Sequence, residues 1–328
     1  MASKQRVKGF ISSKSSNKHF IDEQTRSGIR TNTSSDVAER GTTAKVKEAD
    51  GSVARQGETQ KDSNAHHDDL LAACRDGNMA EVKRVLDLGQ VDVNCRGEWS
   101  QTPVMEPSRC RHREVVELLL SRGADVSLVD KDGDNTLHWA CIVRHVRTVE
   151  LILSQDVVDV NCRGGGRSRT PVMEAAAGWG QRDVVELLLS RGADLSLMDK
   201  DGDNTLHWSC EGGDVGMVEL IQSQDVLDVN CREVRSWTPV MRAALGGHRD
   251  VAEHLLSRGA DVSLVDMEGN NILHWACVGA NVGLVELILS LNVVDINTRN
   301  KNGEASANWP RVYRHHQPME LLESRGAR

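Results

Sequence analysis

Three Leu-His-Trp triplets, at 137–139, 206–208 and 273–275, each carry a cysteine three residues after the histidine, giving His138 and Cys141, His207 and Cys210, His274 and Cys277. On a helix this spacing presents two ligands on one face, the beginning of a zinc site. Zinc needs four such ligands, or three and a water, and the next His–Cys copy lies two segments further along. Upstream of the first copy, Asp130-Lys-Asp-Gly-Asp-Asn135 has the carboxylate spacing with which a calcium loop opens, but its glycine is misplaced and no Glu stands at the twelfth position. Gly164-Gly165-Gly166 lacks the Gly-Lys-Ser/Thr that would make it a phosphate loop. No nucleophile elbow or separated pair of catalytic carboxylates stands out, and each candidate acid or base has a counterpart in a sister segment. A hydrolase would need titratable residues that the sister copies lack. The sequence predicts a protein with no catalytic residue, no cofactor and no metal.

The elements that carry these residues repeat. The histidines of Leu-His-Trp and the methionines of Thr-Pro-Val-Met mark equivalent places, Met105, His138, Met173, His207, Met241 and His274, separated by 33, 35, 34, 34 and 33 residues. A period of this size means a solenoid whose units bury their apolar faces only against one another. Thr170-Pro171 and Thr238-Pro239 read as helix starts, a hydroxyl cap followed by a proline with helical φ. The pairs Ala175-Ala176 and Ala243-Ala244 permit close approach of backbones, and Val184 to Leu189 has the spacing of a second helix. Gly123, Gly192 and Gly259, each before Ala-Asp, mark left-handed helix ends. Asp132-Gly133 and Asp201-Gly202 are turn signals. Each unit is thus helix, turn, helix and projecting hairpin.

The composite pattern G-x-T-P-L-H-x-A-A-x-x-G-H-x-x-V-V-E-L-L-L-S-R-G-A-D closely resembles the ankyrin-repeat family. The resemblance implies an all-α solenoid of helix-turn-helix units with projecting β-hairpin loops, about seven repeats here. It also implies a histidine that ties the Thr-side turn together, and a scaffold or adaptor that binds another protein through hairpin tips and a concave inner-helix face. The alternative from another class is a nucleic-acid-associated regulator using a basic amino-terminal tail. Residues 1–66 are rich in Ser, Thr, Lys and Arg and read as a disordered tail. Residues 67–300 read as the solenoid and 301–328 as a degenerate capping repeat. Residues 1–68 hold 12 Lys and Arg against 9 Asp and Glu, the remainder 28 against 39, so the body is acidic. The first 20 residues carry five basic side chains and no acid, without the apolar run of a secretion signal. With no segment of ~18 consecutive apolar residues, the expectation is a monomer in the cytoplasm, with nuclear entry as the alternative, and neither membrane nor nucleic acid as partner.

Eight cysteines raise the question of disulfides. Cys95, Cys162 and Cys231 share one position and Cys141, Cys210 and Cys277 another, in alternate units. Helix layers ~8–10 Å apart put such copies beyond the ~7 Å reach of a disulfide, so reduced thiols in an intracellular protein are expected. Pro107 falls about four residues inside a first helix, where an interior proline costs ~3 kcal/mol; that helix should be bent or shortened. Pro310 stands where other units have alanine, and Gly178-Trp179-Gly180 makes the inter-helix turn longer than Gly246-Gly247.

Trp139, Trp208 and Trp275 either fill space between inner helices or form an aromatic ladder along the concave face. Trp99 and Trp237 precede Thr-Pro on the hairpin side, where there is less mass to bury them, and tryptophan and arginine are enriched among binding hot spots. Tips alternate in charge: Asp130, Asp132, Asp134, Asp199, Asp201 and Asp203 are acidic, whereas Arg163, Arg167, Arg169, Arg232 and Arg235 are basic. Such stripes either pair laterally, at ~0–1 kcal/mol per exposed ion pair, or set the register of an extended partner. The candidate partner-binding residues are Trp99, Lys131, Asp132, Asp134, Arg167, Arg169, Lys200, Asp201, Asp203, Arg235, Trp237 and Glu268, with Trp237 beside Arg235 as the expected anchor.

Overall fold

A computed structural model describes residues 66–327. The expectation for the amino-terminal tail lies outside the described residues, save that residue 66 is already helical. Sixteen helices, among the described residues, pair into eight helix-turn-helix units. Unit one is α1 (66–76) and α2 (Met79–Asp87), and unit two α3 (Met105–Cys110) and α4 (Arg113–Ser121). Units three and four are α5 (Thr136–Ile142) with α6 (Val146–Leu153), and α7 (Pro171–Ala177) with α8 (Arg182–Ser190). Units five and six are α9 (Thr205–Gly212) with α10 (Val215–Gln222), and α11 (Pro239–Gly246) with α12 (Arg249–Ser257). Units seven and eight are α13 (Ile272–Gly279) with α14 (Val282–Ser290), and α15 (Asn308–Tyr313) with α16 (His316–Ser324). The six marked units are thus flanked by one divergent pair at each end.

First helices stack on first helices, α9 against α7 and α11 and α11 against α13, while second helices such as α10 pack on α8 and α12. Small residues allow this closeness: a Cβ on Gly212 would lie 2.9 Å from the Ala177 carbonyl oxygen. Leu137, Met173, Leu206, Met241, Leu188 and Leu255 are fully buried between the layers. Second helices end as expected, with Gly123, Gly192 and Gly259 at φ 88°, 87° and 90°, a conformation glycine adopts without a Cβ penalty. The hairpin loops are short turns closed by isolated bridges, Val129 to Asn135, Gly164 to Arg169 and Arg299 to Ala305, with no strand among the described residues.

Helix starts come in two kinds. In the Leu-His-Trp units the cap is asparagine: Asn135 Oδ1 accepts from the Leu137 and His138 N–H at 3.1 and 3.2 Å, while His138 Nδ1 accepts from the Asn135 N–H at 3.3 Å. This reciprocal capping box recurs at Asn204 and Asn271. In two of the three Thr-Pro-Val-Met units a thioether takes the imidazole's part, Met105 Sδ and Met173 Sδ accepting from the Thr102 and Thr170 N–H at 3.3 and 3.5 Å. The threonine hydroxyls themselves, including those of Thr170 and Thr238, are buried without a hydrogen-bond partner.

The prolines shorten their helices. α7 and α11 begin at the proline of Thr-Pro, but α3 begins two residues later, at Met105, and spans six residues. Pro107 then sits in the first turn, where its missing N–H leaves no broken bond, and the ~3 kcal/mol cost of an interior proline is avoided. Pro310 is placed the same way in the six-residue α15. The turn between α7 and α8 runs over 178–181, longer than the two residues between α11 and α12.

Candidate functional site

The tips form one edge because backbone hydrogen bonds tie each to the next. Lys131 N–H donates to Trp99 O at 3.0 Å, Lys200 N–H to Arg167 O at 2.8 Å, Val234 N–H to Asp201 O at 3.0 Å, Met267 N–H to Arg235 O and Lys301 N–H to Glu268 O at 2.9 Å. Within the acidic tips one carboxylate shapes the turn. Asp130 Oδ1 accepts from the Asp132 and Asp134 N–H at 2.9 Å, and its Oδ2 accepts from Trp139 Nε1 at 2.9 Å. Asp199 repeats this with Asp201, Asp203 and Trp208. These carboxylates are consumed by the turn, which is why the string resembles an ion loop in composition only.

The predicted residues separate into two rows. Trp99, Lys131, Asp132, Arg167, Lys200, Asp201, Arg235 and Glu268 lie on the outer side of the edge, exposed or half-exposed. Trp99 is 52% exposed, with Lys131 Nζ over its ring at 2.8 Å from the centroid. Arg167 pairs with Asp201 at 3.5 Å, and Lys200 Nζ donates to Gly166 O at 3.1 Å. At Arg167 and Asp201 the charge stripes pair laterally.

Asp134, Arg169, Asp203 and Trp237 instead turn inward. Each immediately precedes a helix cap, and at two of these positions the carbonyl is held by the preceding unit: His138 Nε2 donates to Arg169 O at 3.2 Å and His207 Nε2 to Trp237 O at 3.3 Å. Trp237, expected as the exposed anchor, is 3% exposed, its ring 3.9 Å from that of Trp275 and 4.8 Å from the Arg242 guanidinium. Glu233 Oε1 also accepts its N–H at 2.9 Å, fixing the inward direction. Asp203, expected at a tip surface, is buried in an ion pair with Arg242, which reaches Glu211 at 3.1 Å as well. Arg169 is half-buried, pairing with Glu174 at 3.3 Å and stacking on Trp208 at 3.4 Å.

Along the inner helices this yields a ladder of tryptophans and arginines. Arg169 and Arg242 both face Trp208, and Trp275 meets Trp309 edge-on at 5.2 Å. Trp208 and Trp275 fill space between first helices, as expected, and belong to the ladder as well. Burial pushes Asp134 up to about 7, and the neighbouring Asp130, Glu174 and Asp132 add to it. Asp203 also rises to about 7 through burial, against the lowering pull of Arg242. Burial, with the charge of Arg242, holds His207 down at about 3, so this imidazole is neutral; with Nδ1 taken as the acceptor of the Asn204 N–H in the capping box, the proton is assigned to Nε2, which faces Trp237 O.

The His–Cys pairs are structural. Cys141, Cys210 and Cys277 are buried free thiols. Cys162 and Cys231 Sγ accept from the cap amides Asn135 and Asn204 at 3.2 and 3.3 Å. Among the described residues no group of three or more His, Cys, Asp or Glu is arranged to hold a metal, and no helix is long and apolar enough to cross a membrane. Sequence reasoning missed Asn94, Asn161 and Asn230, which clamp the next unit's Gly-Ala-Asp turn. Asn161 Nδ2 donates to Gly192 O at 3.1 Å and its Oδ1 accepts from Asp194 N–H at 2.8 Å. Their recurrence in Val-Asn-Cys-Arg was the available signal.

Known proteins share the pattern. A family model described as ankyrin repeats (3 copies) matches residues 122–199, 172–266 and 206–302, and a single ankyrin repeat matches 100–131. Palmitoyltransferase AKR1 of Lachancea kluyveri is 28% identical over 235 residues, 71% of this chain and 27% of that protein. Human palmitoyltransferase ZDHHC13 is 28% identical over 240 residues, 71% of this chain and 36% of that protein. Human transient receptor potential cation channel subfamily A member 1 is 27% identical over 231 residues, 67% of this chain and 20% of that protein. The chain thus spans about a third or less of the length of these relatives. Paired short helices, marked His and Met positions at a 33- to 35-residue period and family models spanning most of the described units carry one conclusion: this chain belongs to the ankyrin-repeat family.

Proposed function

We propose that the repeat array is a non-enzymatic adaptor that holds a protein partner along the outer row of its tip edge. The observation that carries this is Trp99, half-exposed under Lys131 on an edge whose tips are already locked to one another. An aromatic anchor within a charged rim is the composition of a binding hot spot, and a preformed edge loses little freedom on docking. Electrostatic register would come from Asp132, Arg167, Lys200, Arg235 and Glu268, whose charges reach solvent. The likeness to palmitoyltransferases takes in 71% of this chain and 27–36% of those proteins, and the state of this chain's cysteines supports the non-enzymatic reading. Acyl transfer to cysteine runs through a thiolate, whereas burial pushes Cys74 and Cys277 up to about 12 and Cys162 and Cys231 to about 11.

The test compares partners co-purified with the wild-type chain, Trp99→Ala, Lys131→Glu and the outer-helix change Glu186→Lys. Loss of the same partner from both tip variants, with Glu186→Lys unaffected, is the expected result. Loss with Glu186→Lys alone would place the partner on the second helices instead.

A further inference from the structure

The turns between first and second helices form a second edge, and in units two and three it carries a cluster of arginines. In units one, four, five and six the left-handed residue of this turn is Gly77, Gly180, Gly213 or Gly247. Units two and three place Arg111 (φ 65°) and Arg144 (φ 57°) there, as unit eight places Arg314 and unit seven Ala280. An L residue pays a conformational cost at such a position that glycine does not, and strain of this kind concentrates at functional sites. Arg111 and Arg144 differ from Arg314 in what surrounds them. With Arg109, which also pairs with Glu106 at 3.5 Å, they line a cleft of about 400 Å³ whose walls include Ile142 and Trp179, and no carboxylate lines it. Trp179 is 66% exposed and Ile142 46%. Next to it lies a cleft of about 340 Å³ that shares Arg111 and adds Arg113, Arg147 and His145, with Glu114 as its one lining carboxylate.

The field of these cations is felt locally. His145 is held below the usual imidazole range by burial, and then by Arg111, Arg113 and Arg147. Arg111 spends two donors on Val143 O, at 3.0 and 2.8 Å, and keeps the rest. Arg144 and Arg147 make no side-chain hydrogen bond or ion pair among the described residues. Arg144 lies over the long turn of unit four, where a Cβ on Gly180 would come within 2.8 Å of its guanidinium. The helices α4, α6 and α8 begin at this edge, so the positive ends of three helix dipoles face the same side.

We propose that this turn-side edge of units two to four docks a carboxylate-rich peptide segment, its Asp or Glu side chains against Arg109, Arg111 and Arg144 and an apolar side chain over Trp179 and Ile142. Guanidinium groups take carboxylates bidentately, and the exposed tryptophan supplies the anchor that a purely ionic site lacks. A short acidic segment fits better than a long polyanion, whose phosphates would extend from the basic cluster onto a body holding 28 Lys and Arg against 39 Asp and Glu. The proposal rests on the array being a protein-binding module but uses a different edge from the tips.

The probe is a fluorescent peptide alternating Asp and Leu, titrated with the full chain at several salt concentrations beside its Asn–Leu counterpart and a single-stranded oligonucleotide of equal charge. The variants are Arg111→Gly/Arg144→Gly and Trp179→Ala. Glycine is the residue other units use at the left-handed position, so the double variant should keep its circular dichroism, while loss of the two Arg111 donors to Val143 O lowers its melting temperature without unfolding it. The expected result is binding of the acidic peptide only, weakened at least about tenfold in the double variant and several-fold in Trp179→Ala, with Trp99→Ala unchanged. Unchanged affinity in the folded double variant overturns the proposal, as does equal binding of the neutral peptide or tighter binding of the oligonucleotide. Weakening by Trp99→Ala in place of the double variant would move the acidic peptide to the tip edge, overturning this site while leaving the adaptor function standing.

Discussion

Arg242 joins units five and six from the inside, and removing its charge should be costly. Its side chain is 4% exposed and that of Asp203 1%, so neither ion is rehydrated when its partner is lost. Breaking one side of a buried pair costs ~3–5 kcal/mol because the other charge stays behind in a poorly polarisable site. Arg242→Met keeps the stem that packs near Trp237 and Trp208 and removes only the guanidinium. Asp203 then meets its burial with nothing to lower its pKa, and must take up a proton to remain inside. Its folded pKa, about 7 with Arg242 present, rises further, so the variant binds more protons than its unfolded chain up to a higher pH. Stability of the variant should therefore keep falling above pH 7, by up to ~1.4 kcal/mol per pH unit, where this group no longer contributes a slope in the wild type. Urea unfolding followed by tryptophan fluorescence reads this directly. The expected loss is ~3–5 kcal/mol at pH 8, smaller at pH 6, with the transition splitting because the interface between two units is weakened. Asp203→Asn/Arg242→Met should recover most of it. A single variant within ~1 kcal/mol of wild type, or a double variant no more stable than the single, would refute the assignment of this pair as a buried, mutually dependent contact.

Stability should also peak in mildly acidic solution. His138, His207 and His274 are held below the usual imidazole range chiefly by burial, so the unfolded chain binds more protons as pH falls through 6.5 and stability is lost towards lower pH. Asp134 and Asp203, raised to about 7 in the fold, act oppositely: the folded state binds more protons between 3.8 and 7, and stability is lost as pH rises through that window. Denaturation midpoints between pH 4 and 9 should show both arms, and Asp203→Asn should flatten the upper one while leaving the lower. For the prolines, Pro107→Ala should change stability by no more than ~1 kcal/mol, since the residue already occupies a first turn; a gain near ~3 kcal/mol would mean that it interrupts a longer helix.

The repeat was legible because every unit solves the same local problem with the same letters. Gly192 before Ala-Asp, the Ala175-Ala176 pair and the Val184–Leu189 run each announce an element by themselves, and a fixed period aligns them. The direction of the residue before each cap was not legible. In the sequence Trp237 looks like the last residue of a variable loop. What turns it inward is an acceptor bond from His207, 30 residues earlier, together with Glu233 closing its own turn. Asp203 and Arg242 are 39 residues apart and meet only once α9 and α11 are stacked. The basic turn-side cluster was hidden for the same reason, since Arg109, Arg144 and Trp179 belong to three units. By contrast Trp99 and Lys131, which touch within the outer row, could be placed from the tip pattern alone.

The alternation of histidine and methionine at the marked position also divides the array into pairs. His138 and Met173 each accept the cap N–H of their own unit, from Asn135 and Thr170, and so close a helix start. Only imidazole has a second nitrogen with a proton to give. His138, His207 and His274 pass theirs to Arg169, Trp237 and Glu304, linking unit three to four, five to six and seven to eight. A thioether has no proton to donate, so this link cannot form from Met105 and Met173 to the units that follow them. Cys162 and Cys231, which accept from Asn135 and Asn204, strengthen two of the same interfaces, and the Asp203–Arg242 pair lies in one of them. The residues that sequence alone would assign to an outside partner, Trp237 and Asp203 foremost, are therefore partners of the neighbouring unit. Exposed charge stands instead on the outer row, on the second helices, as in the Arg182–Glu186 and Arg249–Glu253 pairs, and at the arginine-bearing turns.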